Sequence, residues 1–194
     1  MLIFATNNQN KVNELSSILN GVIEVKSLKE AGIEIDIPEP HNTLEENARE
    51  KSTTIFKLTD KNCFSEDTGL EIDSLNGEPG VKSARYAEGE SVYKNNIEKV
   101  LKKMNGIQNR SAQFKTIISL ILEEKEYQFE GLCKGQITVS ENGTNGFGYD
   151  AIFIPEGSDK TFAEMSIDEK NKYSHRKKAV VQLVYFLKNK SWQE

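Results

Sequence analysis

The period of the apolar residues changes repeatedly along this chain, and that alternation constrains its fold more than any other feature. Residues 1–5 read as a short buried strand, whereas Val12, Leu15, Ile18 and Leu19 return at helical spacing up to Asn20-Gly21, a helix stop. A second helix is expected over 43–58, with Thr43 as its cap and Glu46 at the capping-box position. Residues 62–65 read as a central strand and 70–75 as another, closed by the Asn76-Gly77 turn. Ser91 reads as the cap of a helix reaching Met104, with Gly106 just beyond it. Segments 112–122 and 127–139 read as long paired strands, and 149–154 as a further strand after the turn-formers Asn142-Gly143 and Asn145-Gly146. The last helix carries Ala179, Val180, Leu183, Val184 and Leu187 on one face. Interleaved strands and helices with long hairpins define an α/β class with a mixed sheet.

At 194 residues the chain buries a sizeable core, and residues 1–194 are read as one domain. Hydrophobic residues make up 37%, with no apolar run long enough to span a bilayer and no signal-peptide pattern, which points to a soluble cytoplasmic protein without a membrane partner. The 25 basic residues are outnumbered by 30 acidic ones, and a net charge of −5 argues against nucleic acid as a partner. A small nucleotide needs only a local basic cluster. Cys63 and Cys133 lie in strand-like segments and read as packed, reduced thiols. With His41 and His175 as the only histidines, no zinc set suggests itself, which leaves a hard cation held by carboxylates.

Five segments carry the chemistry. Thr6, Asn7, Asn8, Gln9, Asn10 and Lys11 join the first strand to the first helix, a junction that aims free N–H groups and the positive helix end at one spot. It lacks the glycines and the Gly-Lys-Ser/Thr ending of a P-loop, and an Asn-rich turn of this kind also serves simply as a cap. Glu39 lies between Pro38 and Pro40, and Lys51 shares a helix face with Asn47. In Glu66-Asp67-Thr68-Gly69-Leu70 two adjacent acids stand where a strand gives out before a glycine turn, which reads either as an exposed acidic turn or as a place opposite a metal ion, a basic cluster or a proton being moved. In Gly146-Phe147-Gly148-Tyr149-Asp150 the glycines let a flat ring pack close to backbone, or equally build a hairpin around a core Phe147. Lys170 and Ser174-His175-Arg176 begin the last helix, where cations oppose the helix dipole.

Taken in order, these segments together with Glu46-Asn47-Ala48, Gly77-Glu78-Pro79-Gly80 and Ser83-Ala84-Arg85-Tyr86 resemble the inosine triphosphate pyrophosphatase family, the Ham1/RdgB-like enzymes acting on non-standard purine nucleoside triphosphates. The resemblance spans nearly the whole chain. It implies an elongated mixed β-sheet with flanking helices, two lobes around a central nucleotide cleft, and a homodimer. It implies Mg²⁺-dependent cleavage of ITP, dITP and XTP between the α and β phosphates, giving a nucleoside monophosphate and pyrophosphate. By position, residues 6–11 and Lys51 would hold the triphosphate. Glu39, Glu66 and Asp67 would form the metal set, with Asp67 also the catalytic base and Thr68 touching the substrate beside them. Phe147, Gly148, Tyr149, Asp150, Lys170, His175 and Arg176 would receive sugar and base.

Phosphoanhydride hydrolysis asks a protein for charge neutralisation and an aligned water, which lysines, a hard cation and a carboxylate supply. Donors facing a 6-oxo group would reject adenine. The departures from the family pattern are Glu66 where many relatives have aspartate, Asn7 for a frequent glycine and Ala151 for a common proline. The rival readings are a phosphatase releasing orthophosphate and a nucleotide-binding sensor, against which Glu39, Glu66 and Asp67 together speak.

Overall fold

A computed structural model describes residues 1–19 and 22–190. In chain order the elements are β1 (Leu2–Phe4), α1 (Gln9–Leu19), β2 (Val25–Ser27), α2 (Leu44–Thr59), β3 (Cys63–Ile72), β4 (Pro79–Gly80), α3 (Asn96–Lys103), β5 (Ser111–Leu122), β6 (Lys125–Ile137), β7 (Phe153–Pro155), α4 (Ile167–Lys170) and α5 (His175–Asn189). The seven strands make one open mixed sheet in the order β2-β1-β3-β5-β6-β7, with β4 paired to β3. β1 runs parallel to both β2 and β3, while β4 and β7 are antiparallel to β3 and β6. The mixed α/β class read from the sequence is the one observed. The expected helix stop at Asn20-Gly21 lies outside the described residues.

The residues fall into two compact units. The first comprises Met1–Asp67, Thr116–Gly131 and Arg176–Glu194, the second Thr68–Lys115 and Leu132–His175. In the first unit β1 is covered on both faces. Leu2 and Phe4 join Leu15 and Leu19 of α1 and Ala179, Val180, Leu183 and Leu187 of α5. Ile3 and Ala5 join Leu28, Cys63 and Ile55 of α2. Burial of both faces is why β1 reads as an unbroken apolar run instead of an alternating one. The Phe4 and Phe64 rings stack at 4.7 Å, and full burial of each stabilises the fold by roughly 1.5–3 kcal/mol. α2 starts where expected: the Thr43 hydroxyl accepts the Glu46 N–H at 3.2 Å. It stops at Asp60, which takes the left-handed conformation (φ 53°).

The second unit has its own core, in which Leu70, Val100, Met104, Phe114, Tyr149, Ile152, Phe153 and Phe162 are all buried. Phe114 meets Phe153 edge-on at 4.7 Å.

Three local readings change. Segments 62–65 and 70–75 are not two strands about a glycine turn: β3 runs unbroken through Gly69. That glycine is needed for approach, because a Cβ there would lie 2.7 Å from the Gly80 carbonyl oxygen where β4 pairs. The turn at Asn76-Gly77 stands, with both residues at positive φ. α3 is capped by Asn95, whose side chain accepts the Glu98 N–H at 2.8 Å, and not by Ser91. Residues 150–152 form a 3₁₀ turn, so the strand expected over 149–154 shortens to β7. The long hairpin of β5 and β6 closes on Glu123 and Glu124, both with positive φ and without the usual glycine or asparagine.

Candidate active site

Strand β3 sends alternate side chains to opposite faces, and this separates its polar residues into two sets. Cys63, Ser65 and Asp67 turn toward α2. The Cys63 thiol donates to the Ser52 carbonyl at 3.2 Å, the Ser65 hydroxyl donates to the Ala48 carbonyl, and Asp67 meets Lys51. Burial pushes the Cys63 thiol up to about 12, in keeping with a packed, unreactive thiol. Glu66 turns the other way, with Phe64, toward α1 and α5.

On the α2 face, Lys51 Nζ donates to Asp67 Oδ1 at 3.2 Å and to Glu39 Oε1. Lys51 and Asp67 are 7% and 6% exposed, so their contact is largely dry, while Glu39 is half-buried. Asn47, one turn before Lys51, accepts the His41 N–H at 2.9 Å and returns its amide to the His41 carbonyl at 3.2 Å, which fixes the end of the segment bearing Glu39. Asp67 Oδ2 is buried and has no hydrogen-bond partner among the described residues. Burial raises the Asp67 pKa, against the opposing pull of Lys51 and Lys11. A buried carboxylate oxygen left open is uncommon in a native fold and marks a place for a cation or a ligand donor.

On the opposite face, Glu66 is fully engaged. Arg176 at the start of α5 forks onto both its oxygens at 2.6 and 2.7 Å, and Lys11 Nζ lies 3.4 Å from Glu66 Oε1. Arg176 also binds Glu14 of α1. Burial lowers the Lys11 pKa, with Glu66 acting against it. Arg176, Glu66 and Glu14 are 1%, 1% and 8% exposed. Arg176 heads an unfavourable helix end because two carboxylates hold it there. Glu14 was not singled out from the sequence. The available signal was its position one turn from Lys11 and Ile18 on the buried side of α1, where a charge needs a partner.

The β1–α1 turn is ordered by its own side chains. Asn8 Oδ1 accepts the N–H groups of Asn10 (3.0 Å) and Lys11 (3.3 Å), and Thr6 Oγ1 accepts that of Asn8 at 3.1 Å. Gln9 donates to Asn13 at 2.9 Å, and Asn7 to the Ile35 carbonyl at 2.8 Å.

The second unit brings together Phe147, Gly148, Tyr149, Asp150, Lys170 and His175. Asp150 Oδ2 accepts the Phe147 N–H at 2.9 Å and the Lys170 ammonium at 2.6 Å. Gly146 is required because a Cβ there would overlap that oxygen. Lys170 Nζ lies 5.3 Å from the centre of the Phe147 ring, which is only half-buried. The Tyr149 hydroxyl donates to the Ser83 carbonyl at 2.9 Å. His175, 2% exposed, stacks on Phe114 at 4.6 Å. The adjacent His175 and Arg176 therefore serve different units: the histidine packs in the aromatic core, and the guanidinium goes to Glu66 and Glu14. Arg176 does not join the base-side group in which it was expected.

Nor do the three expected metal carboxylates converge. Glu39 and Asp67 share Lys51, while Glu66 faces away from them. Among the described residues no group of three or more His, Cys, Asp or Glu side chains gathers around one point. Glu39 and Asp67 still fit a hard divalent cation, since both are oxygen donors already drawn to one positive charge and Asp67 Oδ2 is left over. Thr68, next to Asp67, is half-buried.

The Ham1 family model matches residues 2–186. A dITP/XTP pyrophosphatase of Flavobacterium johnsoniae is 50% identical over 186 residues, covering 96% of this chain and 97% of that one. A protein of the same description from Flavobacterium psychrophilum is 46% identical, with 97% and 99% covered. The solved structure of the Staphylococcus aureus Ham1 protein superposes with a TM-score of 0.86 at 39% identity, covering 98% of this chain and 99% of that one.

Proposed function

Because the chain belongs to the Ham1 family, we propose that it is a nucleoside triphosphate pyrophosphatase that removes non-standard purine nucleotides (dITP, XTP and ITP) by releasing the nucleoside monophosphate and pyrophosphate. The observation that carries this reading is the unsatisfied Asp67 carboxylate beside Lys51 and Glu39. The reaction forms one bond, from a water oxygen to the α-phosphorus, and breaks the bond from that phosphorus to the oxygen bridging to the β-phosphate. Asp67 takes the proton of the water, and pyrophosphate leaves with the bridging oxygen.

Glu39 and Asp67 would hold Mg²⁺, which when bound supplies positive charge for the polyphosphate. Lys51 and Lys11 add cationic donors, and the N–H groups at the start of α1 suit phosphate oxygens. Glu66, itself held by Arg176, steadies Lys11. In the second unit Phe147 offers a ring face for the purine, steadied by Lys170 and Asp150. Tyr149, Gly148, His175 and Thr68 complete the substrate contacts in this reading. A homodimer rests on the family resemblance, and light scattering reads it directly. Among the described residues no helix is long and apolar enough to cross a membrane.

A panel of dITP, XTP, ITP, GTP and ATP, with pyrophosphate and orthophosphate assayed separately, tests the reading. Pyrophosphate from the first three, abolished by EDTA and restored by Mg²⁺, is the expected result. Orthophosphate alone would make the protein a γ-phosphatase, and tight ITP binding without turnover would make it a sensor.

A further inference from the structure

The segment that delivers Glu39 has almost no structure of its own. Residues 33–40 contain no helix or strand, although Ile33, Ile35 and Ile37 lean onto the core formed by Ile3, Leu28 and Ile55. At one end Ile33 N–H reaches the Leu28 carbonyl at 2.9 Å, and at the other His41 is held by Asn47. Between those anchors, and among the described residues, the one hydrogen bond to the backbone of residues 34–38 comes from the Asn7 amide to the Ile35 carbonyl, at 2.8 Å. Apolar packing holds the isoleucine side chains, but this amide is what fixes the backbone between them. A hollow of about 550 Å³ lies where the two strips of chain meet, lined by Thr6 and Val12 of the turn side and Ile33 and Ile35 of the segment.

We propose that Asn7 is a positioning residue for Glu39, tying the β1–α1 turn to the segment that presents this carboxylate to Lys51 and Asp67. A residue without an amide donor at position 7 leaves the Ile35 carbonyl facing only water and lets the strip carrying Glu39 wander. The turn that would receive phosphate and the carboxylate that would hold the cation thus become one mechanical unit. The inference rests on the proposed function for its consequence but not for its geometry.

The test separates the two. In metal-free protein with labelled isoleucine methyls, Asn7→Ala lowers the order parameters of Ile35 and Ile37 and leaves those of Ile55 and Ile121 unchanged. In turnover of ITP, the half-saturating Mg²⁺ concentration rises about two- to tenfold, the range of one net hydrogen bond, while kcat returns at saturating Mg²⁺. Asn7→Leu, which fills much the same space without a charge and has no amide to donate, gives the same pattern and stands in should the alanine variant fold poorly. In a Glu39→Gln background Asn7→Ala adds nothing further. Unchanged methyl order, with a raised KM for ITP that persists in the Glu39→Gln background, would overturn the proposal and make Asn7 a direct phosphate contact. Absence of any Mg²⁺-dependent turnover in the unaltered protein defeats the functional reading alone, because the methyl readout still decides the tie.

Discussion

Glu66 and Asp67 are neighbouring carboxylates on one strand, both buried, yet their surroundings are opposite. Glu66 meets a two-pronged guanidinium and a lysine, so its charge is answered within the protein. Asp67 shares one ammonium with Glu39, keeps an oxygen with no partner among the described residues, and has its pKa raised by burial. A fully answered buried charge is architecture, because nothing further can bind without displacing a partner. A partly answered one costs stability in the empty protein and gains its return when a ligand arrives.

The largest effect should come from the open acid. Asp67→Asn is expected to reduce kcat for ITP by roughly 10³-fold, within the span of a lost general base, while Tm moves by no more than a few degrees. Retention of normal turnover would show that Asp67 is merely a buried partner of Lys51. The closed acid should give the mirror image. Arg176→Met removes the guanidinium that Glu66 and Glu14 share, leaving Lys11 to answer Glu66, and is expected to cost about 3–5 kcal/mol in urea unfolding. Adding Glu66→Gln and Glu14→Gln to that variant should recover much of the loss, since the charges that Arg176 answered go with it. If Arg176→Met unfolds normally but loses base discrimination, the guanidinium belongs to the substrate site after all. Lys11 sits between the two regimes. Lys11→Ala should raise the KM for ITP about tenfold with little change in stability, because Arg176 still answers Glu66.

This contrast was only half legible in the sequence. One of the two readings of Glu66 and Asp67, acids opposite positive charge, followed from their position in an apolar run. The glycine after them, however, invited a turn at Gly69, and a turn would have let both acids face one ion. Gly69 is there for the Gly80 carbonyl, a close approach between residues of β3 and β4 that no local pattern reveals. Once β3 runs on, period-two geometry sends the acids to opposite faces and dissolves the three-carboxylate set. The helices 9–19, 44–59 and 175–189 were legible because apolar spacing and caps act locally, whereas Glu14, Ser83 and the Asn7–Ile35 tie depend on contacts distant in sequence. The Glu123-Glu124 turn was hidden for a different reason: long paired strands on either side impose the positive φ that glycine or asparagine would normally advertise.

The second unit repeats the closed arrangement around Ser83, where two smaller effects should appear. The Ser83 hydroxyl accepts the Leu70 N–H at 2.9 Å and donates to the Gly80 carbonyl at 2.6 Å, so Ser83→Ala strands a buried N–H and should cost about 1–3 kcal/mol.

Tyr149→Phe should do least. It removes only the hydroxyl that reaches the Ser83 carbonyl, and that carbonyl keeps the Asn96 amide at 3.1 Å as a second donor. The expected cost is therefore about 0.5–1.5 kcal/mol, at the low end of a buried hydrogen bond. If the 146–150 turn presents Phe147 to the purine, the same change should also raise KM for ITP about twofold and leave kcat alone, because the ring and its neighbours Lys170 and Asp150 remain. A larger loss in kcat than in KM would mean that the Tyr149 hydroxyl itself meets the reacting groups, and the distinction between answered and open polar groups would then fail in this half of the protein.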